Sequence, residues 1–184
     1  VTIFAAVSTL VFTASALYHF VSDGFECHEL VEKWLNRFDH FAILMMIAGC
    51  YTAFIPKALS PFWAWCFLIF VWCLALLGAL YVLFRGRMRR MGGRSTSTLI
   101  YILYGCVGLF LLPALSARFN SWQLGLLLSG GGIYIAGAII YYLERFRASP
   151  RAFDLHEVWH LAVIGAYLLH YFLIRSIYLK EVLA

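Results

Sequence analysis

Phe67-Leu68-Ile69-Phe70-Val71-Trp72-Cys73-Leu74-Ala75-Leu76-Leu77-Gly78-Ala79-Leu80-Tyr81-Val82-Leu83-Phe84 closes an apolar run, 61 to 84, that holds no charged residue. A hydrocarbon core of about 30 Å takes roughly 20 apolar residues of helix to cross, so this run spans a bilayer. Working outward, further runs cover about 1 to 21 and 39 to 56 before it, and 97 to 115, 121 to 143 and 154 to 178 after it. Backbone groups left unpaired in lipid are costly, and these runs exceed what a barrel strand needs, so all six are expected to be helices. Pro56, Pro61, Pro113 and Pro150 fall at or near their ends, where a missing N–H does least harm. The fold expected is an all-α membrane protein, one helical bundle domain over residues 1–184.

Composition agrees. With 64% apolar and 12% charged residues, and mean hydropathy +0.85, the chain lies outside the usual composition of soluble domains. The net charge of +5 does not point to nucleic acid, because the arginines occupy short loops between spans. Lys33, Arg37, Arg85, Arg87, Arg89, Arg90, Arg94, Arg145, Arg147 and Arg151 fall on one side, against Lys57, Arg118, Arg175 and Lys180 on the other. The excess of basic residues predicts that the first side faces the cytoplasm and that the C-terminus faces the opposite way. Val1 stands where a Met would begin a complete chain, and a segment upstream, the size of a helix, is expected to be missing. Cys50, Cys66, Cys73 and Cys106 lie in the spans as small hydrophobes and Cys27 in a polar loop. No CxxC pair exists, so neither a disulfide framework nor a zinc knuckle is indicated. Trp34, Trp63, Trp65 and Trp122 read as interfacial anchors. Gly125, Ser129, Gly132 and Ala136 form a small-residue stripe on span five, expected to let a neighbouring helix approach closely.

The chemistry gathers at one depth. His156-Glu157-Val158-Trp159-His160 opens the sixth span and puts two imidazoles one helical turn apart, about 6 Å along the axis, on one face. His19 ends the first span and Asp39 begins the second, and alternating crossings return all four to the same side of the membrane. Three imidazoles are a common catalytic zinc set, with a fourth position left for water or substrate. Water held by zinc loses a proton near neutral pH, and Asp39 is the carboxylate placed to hold or receive it. Ser15, one turn from His19, is placed to hydrogen-bond the water or a substrate oxygen. Each residue has a plainer use: His19 satisfied by a headgroup or carbonyl, Ser15 bonded one turn back, Asp39 capping span two. His170 lies about 21 Å along the axis from His156, too far to share an ion, and is expected in a polar contact between helices. His40 points about 100° from Asp39, and His28 sits in an acidic loop with Glu26, Glu29 and Glu32. Glu157 lies off the face of His156, and the spacing is not that of an HExxH protease.

Ser15-Ala16-Leu17-Tyr18-His19, Arg37-Phe38-Asp39-His40-Phe41-Ala42-Ile43 leading to Ile47-Ala48-Gly49-Cys50-Tyr51-Thr52, and His156-Glu157-Val158-Trp159-His160 through His170 resemble, in order and spacing, the hemolysin III family. That family is grouped with the progestin and adipoQ receptors, which include the adiponectin receptors, and with alkaline ceramidases. The resemblance implies a seven-helix bundle with a cytoplasmic N-terminus, of which six helices are visible and the first is absent. It implies zinc (Zn2+) on the positions of His19, His156 and His160, with Ser15 and Asp39 near the water, and hydrolysis of lipid amides such as ceramide. The absent first helix leaves its own acidic and histidine-containing motif without a counterpart. The chain also departs from the family at Ala53, where relatives carry proline. The function expected is that of a zinc-dependent hydrolase of lipid amides or esters, with membrane lipids as partners. The rival readings are a receptor or sensor with a structural zinc, and a hemolysin-type pore former, which the shortage of polar residues in the spans disfavours.

Overall fold

The computed structural model describes residues 1–25, 28–84, 94–144 and 155–182. Among these residues every regular element is helical. Six stretches are long and apolar enough to cross a membrane: Thr2–Ser22, Glu29–Ala58, Pro61–Phe84, Thr98–Ser116, Ser121–Leu143 and Leu155–Leu179. The helices are α1 (Thr2–Gly24), α2 (Glu29–Ala58), α3 (Pro61–Phe84), α4 (Arg94–Cys106), a 3-10 segment (Val107–Leu111), α5 (Leu112–Ser116), α6 (Ser121–Glu144) and α7 (Leu155–Val182). Cys27, Glu26, Pro150 and the loop arginines Arg85, Arg87, Arg89, Arg90, Arg145, Arg147 and Arg151 lie outside the described residues.

Two elements differ from expectation for local reasons. α2 starts at Glu29, ten residues before the apolar run, because the His28 ring accepts a bond from Leu30 N–H at 3.3 Å and Glu29 and Glu32 in the first turn suit the positive helix end. Asp39 therefore stands inside the helix and caps nothing. The fourth span is interrupted: Pro113 offers no N–H and its ring crowds the carbonyl four residues back, so the turn before it tightens into 3-10 geometry between α4 and α5. Pro56 falls inside the last turn of α2.

The chain divides into two compact units, Val1–Gly92 and Gly93–Ala184. In the first, α1 lies antiparallel on α2 along a seam of rungs. Gly49 leaves the space that Val7 fills, and a Cβ there would strike the Val7 side chain. Ser8 donates to Phe4 C=O at 2.6 Å and meets Met46 Sδ at 3.7 Å. Phe4, Val7, Val11 and Ala14 on α1 and Ala42, Met46, Gly49 and Ala53 on α2 recur every three or four residues and are buried, the period of a helix face. On its other side α2 meets α3, where Trp72 Nε1 donates to Thr52 Oγ1 at 3.0 Å and a Cβ on Gly78 would lie 3.0 Å from Leu44.

In the second unit, α6 and α7 form an antiparallel pair with its own rungs. Gln123 Nε2 donates to Ser176 Oγ at 3.3 Å. Gly130 faces His170, and Gly137 faces Ala162 and Trp159. Tyr141 stacks at a tilt on His156 and Trp159, with ring centroids 5.8 and 5.6 Å apart. The expected small-residue stripe is corrected here: Gly125, Ser129, Gly132 and Ala136 are exposed, and Gly125 and Gly132 have nothing within 4 Å of a built Cβ. The close approach runs instead through Gly130 and Gly137, seven residues apart and so on one helix face. Polar Gln123 marks the start of that face, and it binds α7 more specifically than smallness alone could.

Candidate functional site

Continuing the α1–α2 seam past Ser8 and Met46 brings Ser15 opposite Asp39, and the Ser15 hydroxyl donates to the Asp39 carboxylate, with His19 close enough to interact with its charge. Helical spacing explains the meeting: 8, 15 and 19 follow one ridge of α1, and 39, 42, 46 and 49 one ridge of α2. All three side chains are half-buried, and the His19 ring also leans on Tyr18, centroids 5.0 Å apart.

In the second unit the α6–α7 seam ends on Tyr141 and His156, and His160 follows one turn along α7. The two imidazoles present Nε2 to Nε2 at 3.1 Å, their rings near perpendicular with centroids 4.7 Å apart. Two nitrogens bound tetrahedrally to one zinc at about 2.0–2.1 Å lie roughly 3.3–3.4 Å apart. The pair fits that bite within a few tenths of an ångström. Both rings are half-buried, whereas Glu157 is exposed, as its place off the face requires.

The structure thus brings Ser15, His19 and Asp39 together in one unit, and His156 and His160 together in the other. The remaining histidines have local work. His40 is buried with Nδ1–H donating to Asn36 C=O at 2.8 Å, on a different face from Asp39. His28 caps α2. His170 is buried between α6 and α7, its Nδ1–H donating to Ala166 C=O at 2.9 Å and its ring 5.7 Å from that of Tyr134, as its remoteness from His156 predicts. Tyr141 and Trp159, which pack beside His156, were not singled out by the sequence. The signal that could have found Tyr141 is the antiparallel pairing of spans five and six, which sets it opposite the start of α7.

The family model described as haemolysin-III related matches residues 1–171, which contain all five of these residues. The chain belongs to the hemolysin III family. Among its hemolysin III relatives, Hemolysin-3 of Bacillus cereus is 31% identical over 171 residues, 93% of this chain and 71% of that protein. The Hemolysin-3 homolog of Bacillus subtilis (strain 168) is 29% identical over 164 residues, 89% and 70% of the two chains. Membership and the six apolar helices make this hemolysin III chain an integral, multi-pass membrane protein.

Proposed function

We propose that this protein is a zinc-dependent membrane hydrolase of lipid amides or esters, ceramidase-like in substrate, with one zinc ion held by His19, His156 and His160. The observation that carries the reading is the pair of Nε2 atoms on His156 and His160 at 3.1 Å, a ready two-point grip for one ion. Parity of the crossings supplies the rest: α1 ends, and α7 begins, on the same side of the membrane when every span crosses once. By the distribution of lysine and arginine that side is the cytoplasmic one.

Bound zinc would supply Lewis acidity and lower the pKa of a coordinated water. This chain's own residues supply the remainder. Asp39 accepts a proton from the attacking water and returns it to the departing nitrogen or oxygen, so that the acyl–heteroatom bond breaks with no net proton change. Ser15, donating to Asp39, fixes which carboxylate oxygen stays open to water. The apolar faces on which both helices ride are suited to acyl chains and poor in water.

The name of the Bacillus relatives speaks for membrane lysis, but four of the five buried polar side chains of the described spans, Ser8, His40, Gln123 and His170, are engaged within helices or at the seams. Purified full chain should hold one zinc by elemental analysis and release fatty acid from ceramide by mass spectrometry. Stoichiometric zinc with no hydrolysis of ceramide or related lipid amides and esters sinks the hydrolase and leaves the structural-zinc receptor.

A further inference from the structure

α2 is 30 residues long, about 45 Å at 1.5 Å per residue, against a hydrocarbon core of roughly 30 Å. Its N-terminal turns therefore reach headgroup depth, and they are built asymmetrically. Leu30, Trp34 and Phe38, four residues apart, form a stripe that is 59%, 56% and 40% exposed. Lys33 and Arg37 run along one edge of that stripe. Lys33 is paired with Glu29. Arg37 is set differently: its guanidinium lies over the Trp34 ring, 5.0 Å from the centroid.

We propose that Trp34 and Arg37 form a binding site for the phosphate of an anionic phospholipid, in the leaflet that meets the start of α2. A guanidinium held over an indole keeps its planar fork of N–H donors, which suits a phosphate in bidentate geometry. The exposed stripe of Leu30, Trp34 and Phe38 suits the glycerol and upper acyl chain of the same molecule, with tryptophan at its preferred interfacial depth. Free phosphate would use the guanidinium and leave the stripe without a role, so the two features together select a lipid. Asp39 is about 140° around α2 from Trp34, which makes this site independent of the metal reading.

Native mass spectrometry of the detergent-solubilised full chain, titrated with phosphatidylglycerol or phosphatidylcholine, tests it. Wild type should retain phosphatidylglycerol about tenfold more tightly than phosphatidylcholine, as one charge-assisted pair is worth. Arg37→Gln should erase the preference, Arg37→Lys should keep part of it because charge survives without the bidentate fork, and Trp34→Leu should weaken it. Arg118→Gln, which removes an exposed charge elsewhere, should leave it intact. Excess inorganic phosphate should not displace the lipid. Equal retention by wild type and Arg37→Gln, equal retention of the two lipids, displacement by inorganic phosphate, or a dimer abolished by Trp34→Leu would each overturn the proposal.

Discussion

At the residue scale, Asp39 is the side chain whose role separates chemistry from architecture. It sits inside α2 at the end of the α1–α2 seam and accepts from Ser15. If it serves as the base, Asp39→Asn should lower kcat by about 10²–10⁴, the usual worth of a positioned acid–base group. The amide still accepts from Ser15, so zinc content and thermal stability should stay near wild type. Full turnover by Asp39→Asn, measured as fatty acid released per zinc, excludes the role. His156→Ala should behave differently: it removes half of the Nε2 pair, so zinc content itself should fall, and activity with it.

At the element scale, the α6–α7 seam makes a prediction that distinguishes the glycines of one helix. A Cβ on Gly137 would lie 2.8 Å from Ala162 Cβ and 3.0 Å from the Trp159 ring, and neither can yield without moving backbone or a bulky ring. Gly137→Ala should cost about 1–3 kcal/mol through overpacking, partly offset by roughly 1 kcal/mol of helix preference. Ala162→Gly in the same chain removes the 2.8 Å contact and leaves the Trp159 ring in place, so its effect should be non-additive with Gly137→Ala, the double variant being more stable than the sum of the two losses predicts. Gly125→Ala, with open space around it, should be neutral or slightly stabilising in the same thermal-shift measurement. A larger loss at Gly125 than at Gly137 would contradict this packing. The contrast also shows what was legible in the sequence. Apolar run length located every span, since the bilayer sets that length, and 61 to 84 agrees to the residue. Helix ends set by polar chemistry were less legible: the His28 cap extends α2 beyond its apolar run. The reciprocal bonds of Asn120 and Gln123, at 3.1 and 2.9 Å, likewise fix the start of α6. The small-residue stripe misled because smallness permits close approach on any face, and only the partner's residues, here His170, Ala162 and Trp159, choose which face is used. For the candidate site, helical spacing put Ser15 beside His19 and His156 beside His160, but it could not reveal Tyr141, whose place depends on the register of α6 against α7.

At the scale of the whole molecule, the zinc ion proposed for His19, His156 and His160 would tie α1 to α7, so metal occupancy and global stability should move together. A ligand bound only by the folded state adds stability that grows with the logarithm of its concentration over Kd, about 4 kcal/mol at a thousandfold excess. Chelation should therefore lower the Tm of the wild-type protein in detergent, re-addition of zinc should restore it, and His156→Ala should show neither effect. Imidazole binds metal only when neutral, with an ordinary pKa of about 6.5, so protons compete for the same nitrogens. The metal-free and unfolded forms take up more protons than the zinc form as acid is added, which means the stabilisation is present above about pH 6.5 and is lost as pH falls through about 6 to 5. The measurement is zinc retained after gel filtration across that window, alongside Tm in the presence and absence of chelator. Zinc that stays fully bound at about pH 4.5, well below where imidazole protonates, or a Tm indifferent to chelator while zinc is demonstrably removed, would show that histidines of α1 and α7 do not share the ion.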